Sequence, residues 1–286
     1  MTTADWSRAM TLTGPQFLAA WQALELGEPP VELQLRPPGH TIGERDAVLV
    51  LELTRLRERG LAALEVGGIR PRPRLTKALR LLAEAPMAHD LRLSTGLVAI
   101  GAMDGDSGVV LVADGDTSAA GGRTSLAGRG TLRLVEVRGP AVAAALLELV
   151  GPMRAGRSRT VNVDGQTLDR ARALVHDGSV WTFADRLVEL GTPRIDANSL
   201  ARMCTGVTAW GQIGALARTA GSERRGRWVV GFHRSRAGDF LQLRRPTGSG
   251  RPHVTFAPTT AEGLLSQVRE LVSDLPAPAR VSAAGW

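Results

Sequence analysis

The stretch Gly105-Asp106-Ser107-Gly108 has the residue types that surround the nucleophilic serine of chymotrypsin-like proteases. A serine attacks a carbonyl only when a base removes its proton and a third group orients that base. The neighbours His89 and Asp90 are the right residue types, but nothing in the sequence places them beside Ser107. The same stretch is typical of a tight turn between strands, and we therefore predict a turn there.

The aspartates Asp104, Asp106, Asp114 and Asp116 are spaced like ligands of a calcium loop. Such a loop needs glycine at its sixth position and glutamate at its twelfth, and a loop starting at Asp104 has neither. We therefore predict solvated loops. The histidines, which also lack metal-ligand spacing, are His40, His89, His176, His233 and His253.

The remaining chemical motifs predict neither a cofactor nor a catalytic set. Cys204 is the only cysteine, so an internal disulfide is impossible, and its apolar helical context predicts a small buried side chain. The sequence has no Walker phosphate loop, and its glycine pairs flank a strand within a meander instead of joining a strand to a helix. We predict no catalytic residue, no cofactor and no metal, and hence a protein that is not an enzyme.

The net charge of +7 and the pI of about 11.1 are typical of nucleic-acid-binding proteins. The basic excess lies between Arg218 and Arg251, where nine arginines accompany only Glu223 and Asp239 as acidic residues. Lys77 is the only lysine, and tyrosine is absent, which favours codon bias as the cause. Three interpretations stay open: a solvated face, a positive face for an acidic protein partner, and a nucleic-acid-binding region over residues 218–251, of which we do not favour the last.

No apolar run approaches the roughly 20 residues of a membrane-spanning helix, and the first fifteen residues lack the apolar core of a signal peptide. We therefore predict no membrane segment and a cytoplasmic protein.

In the first half, apolar spacing predicts helices separated from a group of short strands. The second predicted helix has a buried stripe of Ala47, Val48, Leu51 and Leu56. The predicted helices are Gly14–Leu24, Gly43–Arg59, one following Pro73 and one from Pro140 to Val150. The predicted strands are Val31–Leu35, Leu91–Met103, Gly108–Ala113, Arg123–Ala127 and Thr131–Val137.

In the second half the same order returns after a polar, arginine-rich stretch. The predicted helices are Gln166–Val175, Trp181–Leu190, Ile195–Thr205 and Thr260–Ser273. The predicted strands are Trp210–Thr219, Arg227–Arg234, Phe240–Arg244 and His253–Phe256. We predict an N-terminal half over residues 1–151, a linker over 152–165, a C-terminal half over 166–275 and a flexible tail over 276–286.

The two halves also share local sequence. Val135-x-Val137 precedes Pro140 and a Leu-Leu pair, and Val254-x-Phe256 precedes Pro258 and another Leu-Leu pair. We predict an α+β fold with two pseudo-symmetric halves, each an antiparallel meander flanked by helices, with the sheets joined centrally. The alternative is a chance similarity between two meanders.

Several of these segments resemble the EspG family. The resemblance begins with Phe17-x-x-x-Trp21 and the turn Leu26-Gly27-Glu28-Pro29-Pro30. It is most specific near the end, in Gly238-Asp239-Phe240-Leu241 and His253-Val254-Thr255-Phe256-Ala257-Pro258. The resemblance implies a cytosolic chaperone of type VII (ESX) secretion, which binds a PE/PPE-type heterodimer, chiefly through the PPE subunit, and directs it to the secretion machinery.

By the same resemblance, the contact surface combines the sheet, its projecting loops and the second group of helices. In the first half we predict the loop Gly101–Gly108 as a contact region, with Met103 as an apolar anchor and with Asp104 and Asp106 beside it. In the second half the predicted contacts are exposed strand residues: Arg227, Trp228, Arg234 and Arg236. The alternative is that Met103 and Trp228 close the core and that the arginines solvate a sheet face.

Overall fold

The computed structural model describes residues 3–114, 130–175, 178–219, 222–246, 250 and 252–275. Within these residues the chain divides into two compact units. The first contains residues 3–146 together with 218, 219 and 222, and the second contains residues 147–217 and 223–275. The boundaries that we predicted at residues 151, 165 and 275 stay predictions.

The first unit begins with a short strand that leads directly into a helix. The hydroxyl of Thr13 accepts the backbone N–H of Gln16, and the Gln16 side chain accepts the N–H of Thr13, which is a capping box that fixes the start of the helix. The elements are β1 (Met10–Thr13), α1 (Gly14–Ala23), α2 (Ile42–Glu58), a separate hairpin of β2 (Ala62–Glu65) and β3 (Gly68–Pro71), and α3 (Pro73–Glu84).

Four further strands and a short helix complete this unit. They are β4 (Met87–Leu93), β5 (Val98–Asp104), β6 (Ser107–Ala113), β7 (Thr131–Arg138) and α4 (Val142–Glu148). The sheet is antiparallel in the order β1-β7-β6-β5-β4. Helix α4 packs closely on it, because a Cβ atom added at Gly101 would lie 2.4 Å from Cγ1 of Val142.

The second unit has the same order of elements. They are β8 (Val161–Asp164), α5 (Gly165–Ala173), α6 (Val180–Glu189), α7 (Arg194–Cys204), β9 (Ala209–Thr219), β10 (Ser222–Arg225), β11 (Val230–Ser235), β12 (Gly238–Arg245), β13 (His253–Pro258) and α8 (Ala261–Ser273). Its sheet runs β9-β11-β12-β13-β8, and β10 pairs with β9. Helices α5, α6 and α7 bury an apolar cluster against β8, β12 and β13 that includes Val163, Phe240 and Phe256.

Each unit is therefore a strand, a group of helices, a meander and a closing helix, with its first strand paired to its last. In the first unit β1 pairs with β7, and in the second β8 pairs with β13. The predicted α+β fold, with two related halves built on antiparallel sheets, is confirmed. The predicted strand Arg123–Ala127 and the tail 276–286 lie outside the described residues.

The strand predicted at Val31–Leu35 is wrong, because residues 31–33 form a 3₁₀ turn. Val31 is 77% exposed although Leu33 is fully buried, so the alternation of side chains does not correspond to two faces of a strand. Gln34 has a left-handed backbone with φ of 46°, which ends the turn. The prolines on both sides lack the N–H groups that a strand would donate.

The other differences concern what is buried and where strands break. In α2 the buried residues are Leu49, Glu52 and Leu56, whereas Ala47 and Leu51 of the predicted stripe are exposed. The predicted strand Leu91–Met103 is two strands, because the chain turns at residues 94–97, where Gly96 has a φ of 90°.

Residues 161–164 of the predicted linker form β8, which pairs in register with β13 from His253 to Phe256. This segment is therefore part of the second sheet over those four residues. The signal was weak, since only Val161 and Val163 of the strand are buried apolar residues.

Candidate partner-binding surface

The loop predicted as a contact region, Gly101–Gly108, spans the end of β5, a turn and the start of β6. Met103 is half-buried, and Asp104 and Asp106 are exposed on either side of Gly105, whose φ is 53°. The Asp106 carboxylate lies 4.0 Å from the Arg138 guanidinium, where both side chains are exposed. The turn that we preferred to a catalytic serine is therefore present, and the loop offers one small apolar group with an acidic rim.

Arg234, which we predicted as an exposed strand residue, is tied into the structure of the second unit. Its Nε atom donates to Oδ1 of the buried Asp239 at 2.7 Å, and another guanidinium nitrogen donates to the carbonyl of Pro152 at 2.5 Å. The second carboxylate oxygen of Asp239 accepts the backbone N–H of Arg154 at 2.6 Å. The pair therefore holds residues 152–156 against the β11–β12 hairpin.

Trp228 is also a structural residue and not an exposed one. It is 7% exposed, its indole N–H donates to the Asp274 carboxylate at 2.7 Å, and the Arg245 guanidinium lies 4.4 Å from its ring centroid. This is the core position that we considered as the alternative. Arg227 and Arg236 are exposed, but they lie in a bend and in the β11–β12 turn instead of in strands.

The second unit has an open groove of ≈ 420 Å³ on its sheet. Helices α5 to α7 cover β8, β12 and β13, and on the same face of the sheet Trp210 and Gln212 of β9 stay exposed. Trp210 is paired across the strands with His233, and Gln212 with Gly231. The groove is lined by Val207, Trp210, Gln212, Val229, His233 and Arg244, among others.

The polar groups of this groove are mostly satisfied within the unit. His233 is buried, and its Nε2 atom lies 3.1 Å from the Met203 carbonyl oxygen, while burial lowers the pKa of the imidazole. Burial raises the pKa of the Cys204 thiol to about 11, so the sulfur is neutral at pH 7. At the rim, Arg244 makes a two-pronged contact with Asp169 at 3.1 and 2.5 Å, which lowers the pKa of that carboxyl.

The groove is suited to contact with an apolar segment of another molecule. Trp210 is 55% exposed, Val207 42% and Val229 37%, and the walls otherwise carry amide and guanidinium groups. In the described part of the chain, no group of three histidine, cysteine, aspartate or glutamate residues is placed to hold a metal ion. Nor does any helix of that part have the length and apolar character to span a membrane.

Comparison with known families decides which proteins this chain is related to. The model of the EspG family matches residues 13–270, which is most of the chain. The chain belongs to the EspG family. The resemblance that we described from short motifs is thus confirmed over both units.

A solved structure shares the fold of this EspG family member. It is the Mycobacterium tuberculosis type VII secretion system chaperone EspG5 in complex with a PE25-PPE41 dimer, at a TM-score of 0.70. The alignment covers 94% of this chain and 98% of that chain, with 14% sequence identity. A search of curated proteins gives no match.

Trp210 is the main groove residue that sequence reasoning missed. The arginines predicted from the EspG resemblance lie in and near the β11–β12 hairpin, and one of the three, Arg234, has internal partners. A usable signal was present in β9, where the exposed residues Trp210 and Gln212 alternate with the buried residues Gly211 and Ile213. A tryptophan on the polar side of such an alternation is unusual and indicates a contact surface.

Proposed function

We propose that this EspG family member is a chaperone that binds a PPE-type protein, together with its PE partner, and directs the pair to the type VII secretion machinery. It acts in the cytoplasm and catalyses no reaction. The observation that carries the proposal is the family match over residues 13–270, together with a fold shared with a chaperone solved in a PE–PPE complex.

The physical role of such a chaperone explains why the groove is apolar. A helical substrate with an exposed apolar end aggregates or self-associates unless another surface covers that end. Trp210, Val207 and Val229 supply the apolar area, and Gln212, Gln242 and Arg244 supply a polar rim. We propose that the apolar end of the PPE subunit binds in this groove.

A chaperone must also release its substrate, which limits how much surface it can bury. An interface of the standard size of about 1,600 Å², with an apolar centre and a polar rim, can have a wide range of affinities, because a few central contacts provide most of the binding energy. On this basis we retain two further groups of proposed contacts: the loop with Met103, Asp104 and Asp106, and the exposed residues Arg227 and Arg236.

Co-expression tests the function directly. A PE/PPE pair encoded near the gene is expressed with and without this chain, and the tagged chaperone is pulled down. We expect a soluble ternary complex, and we expect the pair to be insoluble when it is expressed alone. A pair that is equally soluble alone and is not retained by the chaperone contradicts the proposal.

Point variants test where the partner binds. Trp210→Glu places a charge in the apolar centre of the groove and is expected to weaken complex formation by at least about tenfold. Leu64→Glu changes an exposed leucine, 69% accessible, in the first unit and is expected to leave binding unchanged. Equal retention of the two variants argues against the groove while leaving the chaperone function intact.

The side-chain contacts of the arginines weaken the case for nucleic-acid binding. Of the arginines in residues 218–251, Arg234, Arg244 and Arg245 form ion pairs with carboxylates of the second unit. Arg218 donates to the carbonyl oxygen of Ala85. A mobility shift with nucleic acid that is strong at low salt and falls steeply as salt rises would restore this alternative.

A further inference from the structure

Helix α2 exposes an apolar face that no described element covers. Val50 is 62% exposed and Leu51 49%, and Ala47 is exposed beside them. The positions 47, 50, 51 and 54 recur at the spacing of one side of a helix. The opposite side, with Leu49 and Leu56, is buried against the first unit.

Between Ala47 and Thr54 the face is apolar, including at its threonine, and the exposed Glu58 follows one turn later on the same side. The Thr54 hydroxyl donates to the carbonyl oxygen of Val50 at 3.1 Å, so its hydrogen atom is used within the helix and its methyl group remains available for contact. Glu44 is used in the same way at the start of α2, where it accepts the backbone N–H groups of His40 and Thr41.

Charged residues flank this face, with Glu44 and Arg55 on one side and Asp46 and Arg57 on the other. Asp46 lies in the first turns and Arg57 in the last turn, on the same side of the apolar residues at 100° per residue. Both are exposed, and within the described ranges neither forms an ion pair. They are too far apart along one helix to pair with each other, since about 16 Å separate them at 1.5 Å per residue.

We propose that α2 is a self-association surface, on which two copies of this chain pair their α2 helices antiparallel about a twofold axis. With the axis between residues 50 and 51, Val50 of each copy faces Leu51 of the other, and Ala47 faces Thr54. Asp46 of one copy then lies within about 3 Å of the level of Arg57 of the other, measured along the helix axis. Because of the twofold symmetry, the dimer contains two such ion pairs.

Charge complementarity is what selects a second copy as the partner. A parallel arrangement would place Asp46 beside Asp46 and Arg57 beside Arg57, whereas the antiparallel arrangement pairs opposite charges and opposes the helix dipoles. The contact is a single helix pair, which is below the roughly 1,200 Å² of a stable interface. The dimer is therefore weak and forms reversibly with concentration.

Sedimentation equilibrium of the full chain, from about 10 to 500 µM, tests the proposal. We expect a reversible monomer–dimer equilibrium for the unchanged protein and at least about tenfold weaker association for Leu51→Glu. Ile195→Glu, at a residue 62% exposed in the second unit, is the matched control and should associate normally. A monomer at every concentration, or a dimer unaffected by Leu51→Glu, overturns the proposal.

A charge exchange tests the arrangement itself. Asp46→Arg and Arg57→Asp should each weaken the dimer about three- to tenfold, and the double variant should restore it. Circular dichroism shows whether each variant is folded. The antiparallel pairing is ruled out if the single variants weaken the dimer and the double variant does not restore it. It is also ruled out if α2 binds the PE/PPE pair instead of a second copy.

Discussion

In the second unit, the Nε2 atom of His233 lies 3.1 Å from the carbonyl oxygen of Met203, so strand β11 is joined to the last turn of helix α7. The imidazole also stacks on Phe240, at 5.5 Å between ring centroids. This contact connects the covered side of the sheet with the helix that forms one wall of the proposed binding groove.

The stability of the second unit should fall in mild acid because of His233. Burial lowers the pKa of this imidazole below its ordinary value of 6.5, so the folded state keeps it neutral where the unfolded chain takes up a proton. As pH falls below about 6.5, the free energy of unfolding should decrease by up to about 1.4 kcal/mol per pH unit, until the folded-state pKa is reached. Urea unfolding between pH 7.5 and 5 measures this.

His233→Gln is the comparison, since its amide can still donate to the Met203 carbonyl but does not titrate. The variant should show a smaller loss of stability over the same pH range. An identical pH dependence in the two proteins would mean that other groups cause it.

Removal of the Asp239 carboxylate should be strongly destabilising. Asp239→Ala leaves the Arg154 N–H without its acceptor and Arg234 without its buried counter-ion, and we expect a loss of about 3–5 kcal/mol. Asp239→Asn retains one acceptor oxygen and should lose less. Chemical denaturation gives both values, and hydrogen exchange at residues 154–157 should increase most. Unchanged exchange there would contradict the anchoring role of this pair.

Gly156 should not tolerate a methyl group. A Cβ atom at this position would lie 2.0 Å from Cζ of Phe240, so Gly156→Ala forces the ring or the backbone to move, at about 1–3 kcal/mol. Gly43→Ala is the control, because no atom lies within 4 Å of the added carbon and alanine favours the helix. Thermal unfolding should show a lower Tm for the first and an equal or higher Tm for the second.

Two of the three tryptophans of the second unit, Trp210 and Trp228, should separate stability from binding. Trp228→Phe removes the hydrogen bond to Asp274 and weakens the contact with Arg245, so we expect a loss of about 1–3 kcal/mol with partner binding retained. Trp210→Ala should leave the protein folded and weaken retention of the PE/PPE pair. Denaturation and pull-down on both variants check this, and the reverse pattern would refute the assignment of roles.

The long helices and the meanders could be predicted because their signals are local. In α3, Leu75, Leu79 and Leu82 recur at helical spacing after Pro73, and all three are buried as expected. Strand β8 was missed because four residues carry too little periodicity. A better signal was the repeat itself, since Met10–Thr13 followed by Gly14 has the same apolar–polar order as Val161–Asp164 followed by Gly165.

The candidate site depends on tertiary coverage that a single sequence does not encode locally. Strands β9 and β12 both contain a stretch in which exposed and buried residues alternate, yet helices cover Phe240 of β12 and leave Trp210 of β9 exposed. Likewise, the roles of Arg234 and Trp228 follow from Asp239, Pro152 and Asp274, and the last two are distant in the chain. The family resemblance predicted the fold, whereas the distinction between structural and exposed arginines depends on side-chain contacts in the folded structure.

The pairing of the first strand of each unit with its last has a consequence for how the protein folds. Met10 pairs with Leu134, and Val161 with Phe256, so each sheet gains its outer strand only after nearly the whole unit has been synthesised. Such distant pairs form late, because a long loop must close before they contribute. A nascent chain therefore carries β1 unpaired until β7 has been made, and later β8 until β13 has been made, and during these intervals the newly made protein is prone to aggregate.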